Sequence, residues 1–276
     1  MKSILSILLL SSIALCSVNA DPWTYPLENL WPTTYPKCGG LYQSPIDVVV
    51  DEVVTVVFDA LVFENTALLY LIELHNNGRY VTGHLVGPLS RPAVRIGSGP
   101  RYKFDHFRFH WRFNGAPSSE NFINGHHYDG EFHYVFINEN YLDFDEASNH
   151  PDGLLIISVL CIIDDSIDAS LLTSLVSAVE AIVGFDTYAY AVDVPLLDFI
   201  LDLLSPDSSH AYFKYRGSLT TPPCSDADII LLKNPKHISR LEYELFLPLQ
   251  DENHSPIYTN PHPTLALSLL VHYENS

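Results

Sequence analysis

His106, Arg108 and His110 stand at alternate positions in the segment Tyr102–Trp111, and Glu131, His133 and Val135 alternate in Glu131–Ile137. Alternate side chains share one face of a strand, so each trio points the same way, while Phe107, Phe109 and Trp111 point into the core. Two histidine-bearing strands side by side would gather imidazoles on a rigid sheet, which is metal-binding chemistry. A single strand histidine is more often a hydrogen-bonded polar residue than a ligand, so the residues alone leave both readings open.

The elements that must position these strands are mostly β. Apolar runs such as Leu154–Ile163 are separated by turn signals at Asn76-Asn77-Gly78, Gly115–Ser119 and Asn124-Gly125. Ser166–Gly184 has helical spacing at Leu171, Leu172, Leu175, Val176 and Val179. Ser239 and Glu242 have capping-box spacing for a second, short helix. The expected fold is mainly β, a large sheet with a few peripheral helices. No repeat, low-complexity stretch or linker divides it, so residues 21–276 are expected to form a single domain.

Residues 1–20 read as a signal peptide: a basic Met1-Lys2 start, an apolar Ile4–Leu15 stretch and a small-residue Val18-Asn19-Ala20 end. The expected location is therefore extracellular, and no later stretch is long and apolar enough to span a bilayer. The net charge of −19 disfavours nucleic acid and anionic membranes as partners. It leaves open an acidic extracellular structural or calcium-associated role. Cys16 lies in the leader, Cys161 lies in the apolar run as an expected buried free thiol, and Cys38 and Cys224 form the expected disulfide in Gly/Pro-rich turns. Asn253-His254-Ser255 is a glycosylation sequon followed by Pro256.

A set of motifs then carries a resemblance. Trp23-Thr24-Tyr25, Gln43-Ser44-Pro45-Ile46-Asp47, Asn76-Asn77-Gly78, Phe107-Arg108-Phe109-His110-Trp111, Ser118-Ser119-Glu120-Asn121, Ile123-Asn124-Gly125, Glu131-Phe132-His133 and Gly217-Ser218-Leu219-Thr220-Thr221-Pro222-Pro223-Cys224 occur in that order. With them the chain resembles the α-carbonic anhydrases over nearly all of the expected mature protein. The resemblance implies a large, mostly antiparallel twisted sheet and a Cys38–Cys224 disulfide. It also implies zinc held by three histidines, with a zinc-bound water whose pKa is lowered to about 7 for carbon dioxide hydration.

Carried onto this chain, the ligand positions are Arg108, His110 and His133. Thr220 and Glu120 match the pair that orients the zinc-bound hydroxide. Thr221, Tyr25 and Tyr215 match cleft residues. Glu131 matches an acid that orients a ligand histidine; its partner is not taken to be the histidine two residues on and stays open. Val135, Ile156 and Leu219 match the apolar wall. Counting from Cys224, two further wall positions fall on Asp228 and Ile230, and the proton-shuttle position falls on Arg79.

Arg108 is the discordant residue. Its guanidinium stays protonated and has no lone pair for a metal. A unit charge about 4 Å from a divalent cation is repelled by roughly 8 kcal/mol at an effective dielectric near 20. His106 is four residues before His110, too far along a strand to replace the missing ligand. The expectation is a catalytically deficient, carbonic-anhydrase-related protein with weak or absent zinc and an unknown protein or small-ligand partner. A buried ion pair of Arg108 with Asp228 or Glu131 is expected where zinc would sit. The alternative is an active or weakly active zinc enzyme.

Overall fold

The structure, a computed structural model, describes residues 23–25, 27–55, 60–87, 90–112, 118–168, 171–201, 212–257 and 272–273. The expected leader and the Gly115–Pro117 part of the expected loop lie outside them. Eight strands carry the site: β1 (Tyr70–Asn76), β2 (Val81–Leu85), β3 (Tyr102–His110), β4 (Gly130–Asn138), β5 (Leu154–Ile163), β6 (Thr187–Val194), β7 (Tyr212–Ser218) and β8 (Asp226–Leu232). They run in the order β6-β1-β2-β3-β4-β5-β8-β7 across one large sheet. Neighbours are antiparallel except β5 and β8, which are parallel. The fold is mainly β, with short helices at the periphery.

The middle of the sheet is covered on both faces, which is why β5 reads as an unbroken apolar run rather than an alternating one. Leu155, Ile157, Val159 and the free Cys161 join Phe107, Phe109, Phe132, Tyr134 and Phe136 in the larger core. Leu154 and Ile156 join Val135, Ile137, Leu219, Ala227 and Ile229 on the opposite face. Packing is close here: a Cβ on Gly83 would come within 2.2 Å of the Phe107 ring, so the β2–β3 pairing requires glycine at that position.

The helical spacing at 166–184 resolves into a 3-10 turn, Leu171–Leu175, continuing as the α-helix Val176–Ala181, which buries Leu172, Leu175 and Val179. The Ser239–Glu242 capping box is present on the helix Arg240–Glu244. Cys38 and Cys224 are bridged across 186 residues of chain. In the chain-entropy picture so long a loop is worth up to about 5 kcal/mol.

One irregularity positions the site. Tyr102 and Phe104 face the larger core, but so do Phe107 and Phe109, so the alternation changes phase in between. The cause is a register shift against β4 between Phe104 and His106. The extra residue at Asp105 re-aims the rest of the strand, as bulges do, and turns His106, Arg108 and His110 to the face opposite the larger core.

Candidate metal centre

β3 and β4 pair so that Arg108 lies across from His133 and His110 across from Glu131. The three positions that the sequence marked as ligands are therefore immediate neighbours on one face. The rings of His110 and His133 are 4.5 Å apart, and both residues are buried.

Glu131 is fully buried and holds the centre together. Its Oε2 accepts from the backbone N–H groups of Glu120 and Asn121, each at 2.8 Å. Its Oε1 accepts from Asn121 Nδ2 at 2.6 Å and from His133 Nε2 at 2.8 Å. The partner of Glu131 is thus the histidine two residues on, contrary to the sequence expectation, because alternate residues of a strand lie on one face. A carboxylate accepts only, so His133 carries a proton on Nε2. Burial opposes a charge on His133, but Glu131 and Glu120 outweigh it and hold the pKa above the usual histidine value, Arg108 working against them.

Glu120 arrives on the segment before β4 and is fully buried. One carboxylate oxygen is 3.3 Å from His110 Nδ1 and the other 3.7 Å from His133 Nδ1. His110, Glu120 and His133 each place a potential ligand atom within 4.8 Å of the others. The sequence pointed to Glu120 only as an orienting acid; its approach to both histidines depends on how the 118–121 segment folds over β4. Asn121 Oδ1 continues the network, accepting from Ile46 N at 3.1 Å and from Tyr215 OH at 2.8 Å.

Arg108 makes no ion pair with Asp228 or Glu131. Its Nε donates to His106 Nε2 at 3.1 Å, its Nη1 donates to Thr221 Oγ1 at 2.8 Å, and the guanidinium carbon lies 4.7 Å from the Tyr80 ring centroid. His106 is therefore tied to Arg108 rather than grouped with His110 and His133. Arginine can only donate, so His106 Nε2 is bare and Nδ1 carries the proton, which it gives to Asp105 at 2.8 Å. Burial, aided by Arg108 and opposed by Asp105, pulls the His106 pKa down to about 4.

That depression has a consequence for stability. An unfolded histidine protonates near pH 6.5, whereas this one stays neutral in the fold down to about pH 4. Stability is therefore full above pH 6.5 and falls as pH drops through that window, by an expected amount on the order of 3 kcal/mol. Unfolding free energy followed between pH 7 and pH 4, in the wild type and in His106→Gln, should show a shallower decline in the variant. Equal slopes would refute the assignment.

The cleft wall differs from the sequence expectation. Val135, Ile156 and Leu219 belong to one buried cluster, and the β8 residues in it are Ala227 and Ile229. Asp228 lies on the opposite face of the sheet, paired with Arg216 at 3.1 Å and Lys214 at 3.2 Å. Ile230 belongs to the larger core on the other face. The β8 positions on the Val135–Ile156–Leu219 face are three and five beyond Cys224, and counting one further moves every side chain to the opposite face. The signal that could have found this is Lys214 and Arg216, two alternate cations in the strand whose partner carries Asp228.

Arg79 stacks over Trp23 with its guanidinium carbon 4.5 Å from the ring centroid. Tyr25 packs against Trp23, its centroid 5.4 Å away, and its buried hydroxyl has no hydrogen-bond partner among the described residues. Thr220 and Thr221 are buried.

Residues 27–268 match the family model for eukaryotic-type carbonic anhydrase. The chain is 30% identical over 238 residues to carbonic anhydrase 6 of Canis lupus familiaris, covering 82% of this chain and 71% of that protein. It is 32% identical over 242 residues to carbonic anhydrase 12 of Homo sapiens, covering 81% of this chain and 62% of that longer protein. Carbonic anhydrase 15 of Mus musculus is 31% identical over 236 residues, which is 79% of this chain and 67% of the mouse protein.

Proposed function

The chain belongs to the eukaryotic-type carbonic anhydrase family, and from that premise we propose that it is a member whose carbon dioxide hydration is absent or very weak. The observation that carries this reading is the placement of Arg108. It stands directly across from His133, in the position from which the family presents a third histidine, and it is held there by His106 and Thr221.

Zinc is the metal that the family implies, and His110 and His133 with a neighbouring buried carboxylate are a donor set that suits it. When bound, zinc supplies a hydroxide nucleophile near neutral pH. Around it, His133 is held by Glu131 with its Nδ1 facing the centre, and Val135, Ile156, Leu219, Ala227 and Ile229 form an apolar wall. Arg108 works against the chemistry in three ways. It offers no bond to the metal, and its charge beside the site weakens zinc relative to a three-histidine set. Its donation to Thr221 also occupies a hydroxyl facing the cleft. At the shuttle position, Arg79 offers only donors and has no lone pair to take up a proton.

The protein would act outside the cell, in keeping with its leader-like start and its Cys38–Cys224 bridge. It would work through a protein or small-ligand partner rather than through turnover. Stopped-flow carbon dioxide hydration by the purified, zinc-supplemented protein is expected to stay within a few-fold of the buffer rate. Turnover approaching the roughly 10⁶ s⁻¹ of carbonic anhydrase itself would overturn the reading.

A further inference from the structure

We propose that Glu120 is a metal ligand in this chain, so that His110, His133 and Glu120 form a two-histidine, one-carboxylate zinc site in place of three histidines. The inference rests on the zinc site in the reading above and deepens it by naming the third donor.

The geometry comes from three separate segments. His110 ends β3, His133 lies within β4, and Glu120 reaches in from the segment before β4. The carboxylate bridges the two imidazoles, with one oxygen 3.3 Å from His110 Nδ1 and the other 3.7 Å from His133 Nδ1. Around a tetrahedral zinc with bonds of about 2.0–2.2 Å, adjacent ligand atoms stand about 3.3–3.6 Å apart. Two of the observed spacings, to different oxygens of the carboxylate, lie near that range, and all three donors lie within 4.8 Å of one another.

The orientation of the ring agrees. Glu131 holds His133 through Nε2, which leaves Nδ1 as the nitrogen turned toward Glu120. The same Glu131 accepts from the backbone N–H of Glu120. One buried acid thus fixes two of the three donors, the supporting role that outer partners play in metal sites.

Glu120 and Glu131 are both fully buried, and coordinating a metal is one of the ways a buried carboxylate is accommodated. Two histidines with a glutamate, and a fourth position for water, is an established zinc donor set in proteases of unrelated fold. Glu120 spent as a ligand is no longer available to orient a metal-bound hydroxide through Thr220. Zinc retention and lost hydration are then two results of one change.

The test uses the full secreted protein, stripped with a chelator and titrated with zinc against a competing indicator. The wild type is expected to take one zinc per chain, and X-ray absorption at the zinc edge should count two imidazoles with oxygen completing the shell. Glu120→Gln should weaken zinc at least about 100-fold, the upper end of what losing an outer partner costs. Arg108→His combined with Glu120→Gln should restore it. No zinc uptake by the wild type, three imidazoles at the edge, or unchanged affinity in Glu120→Gln would each overturn the proposal. If Glu120→Gln does not fold, the imidazole count of the wild type decides alone. Rapid hydration by the wild type would sink the functional reading, whereas these metal readouts judge the ligand set separately.

Discussion

Arg108→His is expected to raise zinc affinity at least about 100-fold and to bring carbon dioxide hydration above background. The substitution does two things at once. It adds a neutral nitrogen donor across the strand pair from His133, where the register already places the side chain on the cleft face. It also removes a cation whose repulsion of a divalent ion is several kcal/mol at a few ångströms, even at a protein-like dielectric. With three imidazoles available, Glu120 is released from the metal. Turnover should still stop well short of fast family members, because Arg79 at the shuttle position has no lone pair to take up a proton. Zinc titration and stopped-flow hydration on the same preparation check both parts. A variant that binds zinc tightly yet stays silent would place the defect in the cleft rather than in the ligand set. Unchanged zinc affinity would remove Arg108 as the cause.

Glu131→Ala should be among the most destabilising single changes in the protein, at about 4–6 kcal/mol. Four donors converge on this one carboxylate: two backbone N–H groups, Asn121 Nδ2 and His133 Nε2. The acid is fully buried, so water does not replace it, and each buried donor left unsatisfied costs about 1–3 kcal/mol. The sum is comparable to the whole stability of an ordinary domain, about 5–15 kcal/mol. Denaturant unfolding of the two proteins measures the difference directly, and a loss under about 1 kcal/mol would show that the network carries little energy. Glu131→Gln should fall between, because the amide keeps one acceptor oxygen and turns a second donor group toward existing donors.

Much of this centre was legible along the chain. The alternation of Phe107, Phe109, His110 and Arg108, and of Glu131, Phe132 and His133, assigned each residue to a face that the structure reproduces. Asp228 and Ile230 went wrong because strand faces repeat every two residues. A count that is one residue long reverses inside and outside without disturbing the composition of the segment. The ion pair expected for Arg108 went wrong for a related reason. Opposite charges suggested a partner, but Asp228 faces Arg216 and Lys214 on the other side of the sheet.

What the sequence determined by itself is the local pattern: apolar alternation, turn and cap signals, the cysteine pair, and an arginine whose chemistry excludes metal ligation wherever it lies. Those follow from side-chain type and spacing, which need no knowledge of distant residues. Only the tertiary structure decided which donors meet. The bulge at Asp105, the strand register that sets Arg108 against His133, and the fold of 118–121 that brings Glu120 between two histidines all depend on backbone pairing between segments remote in the chain. A site of this kind is defined to within a few tenths of an ångström by several strands at once, and no single stretch of sequence contains that information.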